Sequence, residues 1–425
     1  VYFRIEFESI ILRFLLAMNN WESVKLRYFL SLEKGSKPVE LSSTPNGNLP
    51  YLTMDNLRGR NNQVPQYPVE TDGLVLVHAD DILVLWDGAN AGEIVLGKDG
   101  YLSSTMAKID YDKNKFDREY LYFFLKYLES SFKTFSSGTT IPHFDASILL
   151  DEVYSIPSFE EQKSIVSFLH KRVNDIGSAI DEHSKLLEDI IRYKIATVSE
   201  IVCRGTREVA NYVKDNGGMN DLFPSHWACA PLKYFLSENM TYGANESAES
   251  DDRTYPRYIR ITDITDDGDL WDETFKSLSP EKAKDYMLNP GDILFARSGA
   301  TVGKTYLYRG GFDACYAGYL IRARCGEKLL PEFLFLYTKT SMYEAWKNSV
   351  YIQATIPNIG ADKYSELRVL VPPIEEQREI IEEANKKCES INNLQRELKT
   401  QIEDLYKYRE AIISEAVTGQ IDCRE

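Results

Sequence analysis

Paired cysteines are missing from this chain. The six it has, Cys203, Cys229, Cys315, Cys325, Cys388 and Cys423, are scattered without a C-x-x-C spacing. Neither a zinc site nor a disulfide framework is coded, and free thiols in a reducing cytoplasm are expected. A long apolar run is missing too. The stretch from Ile5 to Ala17 is broken by Glu6, Glu8 and Arg13, and it falls short of the roughly 20 residues a membrane span needs. No small-residue cleavage site follows it, so a secretory signal is not indicated. Met18 resembles an initiator, which makes residues 1–17 an upstream extension expected to pack as one amphipathic helix.

Basic excess is also absent. Lys and Arg number 49 against 65 Asp and Glu, for a net charge of −16. Phosphate neutralisation needs cations, so a uniformly basic nucleic-acid coat is excluded, while local basic patches and grip borrowed from partner subunits are not. Catalytic signatures fail in turn. The Asp/Asn-Pro-Pro-aromatic motif of an amino-methyltransferase is not formed where Asn289-Pro290 runs into Gly291. No glycine-rich fingerprint opens a helix. The acidic pairs Asp251-Asp252 and Asp266-Asp267-Gly268-Asp269 lack EF-hand spacing and read as solvated loops. The segment 298–305 imitates a phosphate loop, but Ser298 stands where glycine is required. Tyr306-Leu307-Tyr308 then reads as strand where a helix is needed, so a β-turn-β element is expected.

What is present is an internal repeat at a spacing of roughly 210 residues. Trp21-x4-Leu26 with Tyr28-Phe29-Leu30-Ser31 returns as Trp227-x4-Leu232 with Tyr234-Phe235-Leu236-Ser237. Asp81-Ile82-Leu83 with Gly88-Ala89-x2-Gly92 returns as Asp292-Ile293-Leu294 with Gly299-Ala300-x2-Gly303. Thr140-Ile141-Pro142 returns as Thr355-Ile356-Pro357, and Pro157-x2-Glu160-Glu161-Gln162 as Pro372-x2-Glu375-Glu376-Gln377. Matches kept in one order mark a duplication.

Each copy has two textures. Residues 21–157 and 221–372 are rich in Gly, Pro, Tyr and short β-branched runs such as 74–77 and 293–295, with short helical patches at 119–128 and 332–337. Each therefore reads as a mixed α/β head. Residues 158–205 and 373–425 nearly lose Gly and Pro and turn helical, and 206–220 is left as a linker after an extension at 1–20. In the second helix Ile391, Leu398, Leu405 and Ile412 recur every seventh residue, the seam of a coiled coil. The first helix offers Leu169, Ile176 and Ile190, with Ile180 and Leu187 on a companion row. His183 takes the seam place of Leu398 and reads as a partly exposed residue setting register. Acidic residues at the start of each helix suit the positive end of its dipole. A helix of this length buries no apolar stripe alone, so the two are expected to pair antiparallel. The fold class is α+β: two mixed α/β domains joined by two long antiparallel coiled-coil helices, with a pseudo-twofold repeat.

The paired Pro-x-x-Glu-Glu-Gln segments, their helices, the closing run Tyr408-Arg409-x-Ala411-Ile412-Ile413-Ser414-Glu415-Ala416-Val417-Thr418-Gly419 and the stretch 291–299 together resemble type I restriction-modification specificity subunits. The resemblance covers essentially everything from Met18 onward. It implies two target recognition domains, each reading half of a bipartite double-stranded DNA target. The helices act as spacer and dock two methyltransferase subunits, and restriction subunits can join. The chain itself would be non-catalytic and without cofactor, with S-adenosylmethionine and any nucleotide bound by partner subunits. One departure is the end of the first helix, Ser199-Glu200-Ile201-Val202-Cys203-Arg204-Gly205, altered from the second copy's Ser-Glu-Ala-Val-Thr-Gly-Gln at the turn where glycine normally caps. The rival readings are a coiled-coil scaffold that does not read DNA and the specificity part of a split type II-like enzyme.

Base reading calls for Arg, Asn, Gln, Thr and Lys on strands or loops that reach groove edges. In the first head these are Arg58, Arg60, Asn61, Asn62, Trp86, Asn90, Thr139 and Thr140; in the second, Arg257, Arg260, Thr262, Arg297, Ser298, Thr301, Lys304, Gln353 and Thr355. They cluster on segments that recur in both copies but differ in side chain. Trp86 opposite Arg297 is the clearest exchange.

Overall fold

A computed structural model describes residues 21–59, 64–135, 143–214, 222–248, 250–352 and 358–423. The N-terminal extension lies outside the described residues. The chain forms two compact units, one of residues up to His183 together with Gln401–Glu425, the other Ser184–Thr400. The division falls inside each long helix.

In the first unit, strand β1 (Glu22–Lys25) is followed by β2 (Leu30–Lys34), β3 (Ile82–Leu85), β4 (Ile94–Leu96) and β5 (Met106–Tyr111), then helix α1 (Arg118–Phe135), strand β6 (Val153–Ile156) and helix α2 (Phe159–Arg204). Four strands make an antiparallel sheet in the order β2-β5-β3-β4. β3 reads Ile-Leu-Val-Leu without alternation because both its faces are covered. β1 pairs antiparallel with β6, Glu22 opposite Ile156, and closes the head just before the long helix.

The second unit repeats this plan with β7 (Ala228–Pro231), β8 (Thr241–Tyr242), β9 (Ile293–Ala296), β10 (Thr305–Leu307) and β11 (Leu320–Ala323), then α3 (Pro331–Tyr337), α4 (Ser341–Ile352), β12 (Arg368–Val371) and α5 (Ile374–Val417). The sheet order β8-β11-β9-β10 is the same topology, and β7 pairs with β12 as β1 does with β6. The mixed α/β heads and paired long helices give the α+β architecture with its internal pseudo-repeat. The expected β-turn-β is present: β9, a short 3-10 turn at Gly299–Thr301, and β10 antiparallel to β9.

Several expectations are corrected in detail. Only Leu76–Val77 of the 74–77 run is strand. The helical patch at 119–128 is part of the longer α1. The span read as linker contains a strand, Tyr212–Lys214, paired with Leu222–Pro224. The first long helix has 46 residues and the second 44. Gly205 and Gly419 both take positive φ after their helices, and Gly205 stands one place later in its copy.

The helices pair antiparallel within each unit. In the first, Leu169 packs in a cluster with Ala416 and Val417, and Ile176 and Ile180 pack with Ile412, Ile402 and Leu405. In the second, Leu187 and Ile190 pack with Ile391 and Leu398, and Val198 and Val202 share a core with Ile380 and Ala384. Rising numbers on one helix meet falling numbers on the other. His183 is half-buried, and its Nδ1 lies 2.8 Å from the Ala179 carbonyl one turn back.

The glutamine of each Pro-x-x-Glu-Glu-Gln motif is fully buried and does the same work twice. Gln162 Nε2 donates to the carbonyls of Lys115 (2.9 Å) and Pro157 (3.1 Å), and its Oε1 accepts from Asp117 N (2.7 Å). Gln377 donates to Lys328 and Pro372 (both 2.8 Å) and accepts from Leu330 N (2.8 Å). One amide thus ties the start of a long helix to the loop that launches α1 or α3, satisfying backbone groups that burial would otherwise orphan.

Candidate nucleic-acid interface

Strand register fixes which residues of the two heads are equivalent. In the first sheet Leu85 is opposite Met106 and Lys34 opposite Ala107; in the second, Ala296 is opposite Leu320 and Tyr242 opposite Ile321. Lys34 therefore corresponds to Tyr242, and Trp86 to Arg297. Backbone bonds extend the match. Phe144 N donates to Trp86 O and Ile359 N to Arg297 O, each at 2.8 Å. Asp87 bridges to His143 as Ser298 does to Asn358.

Glycine holds this corner in both copies. A Cβ on Gly35 would collide with the Leu102 and Ser103 carbonyls, and one on Gly243 with those of Tyr316 and Ala317. Only a residue without a side chain lets β2 or β8 approach so closely.

On that shared frame the side chains differ at every one of four positions. In the first head Lys34 Nζ lies 5.3 Å from the Trp86 ring centroid and 3.1 Å from Asp87 Oδ2, while His143 Nδ1 lies 2.6 Å from Asp87 Oδ1. Partial burial works against ionisation of Asp87, but the hydrogen bonds from His143 and Lys34 outweigh it and hold the carboxyl below its ordinary range. Trp86 is braced edge-on by Phe144 at 5.7 Å. In the second head Arg297 Cζ lies 4.9 Å from the Tyr242 ring centroid, and its Nε donates to Asn358 Oδ1 at 3.3 Å. The cation and the aromatic have changed places: in one head the cation comes from the edge strand, in the other from the end of the central strand. Both arrangements are cation–π pairs.

Of the residues singled out in the sequence, Trp86, Arg297 and Ser298 meet in these patches. Asn90 and Thr301 sit at matching places in the turns beside them, their carbonyls accepting from Glu93 N (3.1 Å) and Lys304 N (3.0 Å). Others are taken up by the fold. Arg58 is paired with Glu93 through both carboxylate oxygens. Arg257 is buried, donating to Trp271 O at 2.5 Å and lying over Phe275. Arg260 binds Asp263 and the Thr274 carbonyl, Thr262 faces the same Asp263, and Lys304 pairs with Asp266 at 2.7 Å. The guanidinium groups of Arg58, Arg257 and Arg260 are thus engaged by groups of the fold itself. Arg60, Asn61, Asn62, Thr139, Thr140, Gln353 and Thr355 lie outside the described residues. Lys34, Asp87, His143, Tyr242 and Asn358 are the additions.

Among the described residues no group of His, Cys, Asp or Glu is arranged to hold a metal ion, and no helix is long and apolar enough to cross a membrane. The acidic loops are engaged with the fold: Asp251 pairs with Lys276, Asp266 with Lys304, and Asp267 with Lys194.

Two four-stranded heads of one topology, each ending in a long helix and each carrying a variable polar patch, define a duplicated recognition protein. Residues 18–183 and 236–404 match the type I restriction modification DNA specificity domain, and the chain belongs to that family. It is 28% identical over 414 residues to the type I restriction enzyme MjaVIII specificity subunit of Methanocaldococcus jannaschii, covering 95% of this chain and 93% of that one. It is 20% identical to the EcoBI specificity subunit of Escherichia coli, covering 81% of this chain and 74% of that one. A solved chain from a study of type I R-M complex assembly and conformational transition superposes with a TM-score of 0.68 at 14% identity, covering 94% of this chain and 98% of that one, and shares the fold.

Proposed function

We propose that each head reads one half of a bipartite double-stranded DNA target, and that the paired helices set the unspecified gap and dock two modification subunits, with restriction subunits joining the same assembly. The observation that supports this is the exchange of side chains at equivalent positions on a repeated scaffold. A protein that merely bridged partners would have no use for two such different patches. The chain is non-catalytic in this reading: S-adenosylmethionine and any nucleotide belong to the partner subunits, and the assembly works in the cytoplasm. With a net charge of −16, part of the phosphate contact falls to those partners.

Co-expression with a modification subunit tests the proposal. The expected result is a copurifying complex that binds duplex in a salt-sensitive manner and methylates one bipartite motif only when this chain is present. A complex with no duplex binding would leave the scaffold reading standing. Lengthening both helices by four residues, near Leu187 and Ile402, adds roughly 6 Å of helix. The expected motif keeps both half-sites and gains one to two unspecified base pairs, at about 3.4 Å each; an unchanged gap in an active variant would deny the helices a spacing role.

A further inference from the structure

Resting on that reading, we infer that the two patches select different base edges: the second head takes guanine through the Arg297 fork, and the first, which has no fork, reads one position through His143 and does not select guanine in that way. In the second head Arg297 is held by two contacts, the Tyr242 ring under its guanidinium and Asn358 Oδ1 on its Nε. Its two terminal nitrogens make no hydrogen bond among the described residues. A guanidinium held through Nε with its terminal nitrogens uncommitted offers a pair of donors, and guanine alone offers two adjacent acceptors, O6 and N7, in the major groove.

The first head carries no such fork. Lys34 is a point charge matched by Asp87. The outermost polar group is His143, with 59% of its side chain exposed. The Asp87 carboxylate can only accept, so His143 Nδ1 carries a proton and donates to it. A single imidazole nitrogen does not span the two adjacent acceptors of guanine. The Asp87 carboxylate behind it further opposes any edge that presents only acceptors. Asn358 at the equivalent place fixes an arginine; His143 presents itself.

The test uses the full chain assembled with its modification subunits and reads the methylated motif of genomic DNA from the wild type, Arg297→Gln and His143→Ala. In the wild type the half-site read by the second head is expected to hold a guanine, and the other half-site one position read through His143. Arg297→Gln is expected to move the guanine position toward adenine, the base a glutamine amide pairs with, and to leave the other half-site intact. His143→Ala is expected to relax a single position in that other half-site. Where methylation by a variant falls below detection, competition between duplexes differing at one base reads the same preference, expected to fall roughly ten- to a hundredfold for Arg297→Gln on guanine. The inference is overturned by a motif unchanged in both variants, by both substitutions altering one half-site, or by equal loss of binding to all duplexes. A wild type that methylates no bipartite motif overturns the underlying reading instead.

Discussion

The two copies of the repeat agree where the chain must hold itself together and part where it faces outward. Gln162 and Gln377 make the same three hydrogen bonds to matching backbone groups, and Gly35 and Gly243 permit the same close backbone approach. Lys34, Trp86, Asp87 and His143, by contrast, stand where the second copy has Tyr242, Arg297, Ser298 and Asn358. A scaffold fixed by buried glutamines and glycines tolerates any exposed set that finds a local partner, because surface exchanges cost little while an orphaned buried amide costs 1–3 kcal/mol. On the proposed function, separating the frame from the outward-facing patch in this way lets one duplicated fold serve two half-sites.

The largest effect is expected from breaking the shared part. Gln162→Ala or Gln377→Ala leaves a backbone N–H and two carbonyls without their partner, at about 3 kcal/mol or more each. Denaturant unfolding of each variant, with hydrogen exchange of residues 115–121 and 328–334, is expected to show the loss confined to the head that carries the change. A variant that unfolds like the wild type would mean that water replaces the amide and that the matched bonds are incidental.

How much of this could be read from the chain depends on range. The repeat, the helix seam and the β-turn-β element were legible because each is a local pattern with its own period. The glutamines were visible as a motif, but their bonds to Lys115 and Lys328 span 47 and 49 residues, so the reason for them was not. His143 and Asn358 follow the repeated Thr-Ile-Pro directly and could have been found there as a position that differs after three that match. Lys34 and Tyr242 could not. The first repeat block runs at an offset of 206, which sets Lys34 against Met240, and only the strand register restores the pairing with Tyr242. Arg257 and Arg260 have the residue type that base reading calls for, and type does not tell a guanidinium that supports a fold from one that meets a ligand.

A middle-sized effect separates two lysines. Lys126 and Lys339 correspond in the helix after the sheet, but α1 is continuous whereas the second copy breaks into α3 and α4 around Thr338-Lys339-Thr340. Thr338 and Thr340 turn their hydroxyls back onto the Phe335 and Tyr337 carbonyls, an interruption β-branched hydroxyls favour. Lys126 pairs with Glu129 at 2.7 Å. Lys339 is pushed down to about 8 by burial, partly offset by Asp267 and aggravated by Lys194. Its amine is protonated more readily in the unfolded chain, near 10.5, so the penalty is complete below about pH 8 and fades as pH rises toward 10.5. Lys339→Met is expected to raise stability by about 1–2 kcal/mol at pH 7, with the advantage shrinking toward pH 10, whereas Lys126→Met, which only breaks the pair with Glu129, is expected to give no such gain. Equal profiles for the two would remove the distinction.

The smallest effect concerns the tryptophans that open each copy. Trp227 Nε1 donates to Glu376 Oε1 at 3.1 Å, and His226 Nε2 lies 2.8 Å from the other oxygen of the same, almost fully buried carboxylate. Trp21 occupies the corresponding place in the first copy, yet its Nε1 is buried with no hydrogen bond among the described residues, and its counterpart Glu161 is only half-buried. Replacing either indole by phenylalanine removes similar ring volume, so the packing cost largely cancels in the comparison. What remains is the hydrogen bond to a buried carboxylate, which Trp227→Phe loses and Trp21→Phe does not. Trp227→Phe is therefore expected to cost about 1–2 kcal/mol more than Trp21→Phe, measured as the difference in unfolding free energy between the two variants under one set of conditions. A double change of Trp227→Phe with Glu376→Gln sharpens the assignment, because a neutral amide needs the indole donor less and the cost of the tryptophan change is expected to shrink beside it. Equal costs for Trp21→Phe and Trp227→Phe would show that the carboxylate is held by His226 alone, and that the two copies differ at this corner in geometry but not in energy.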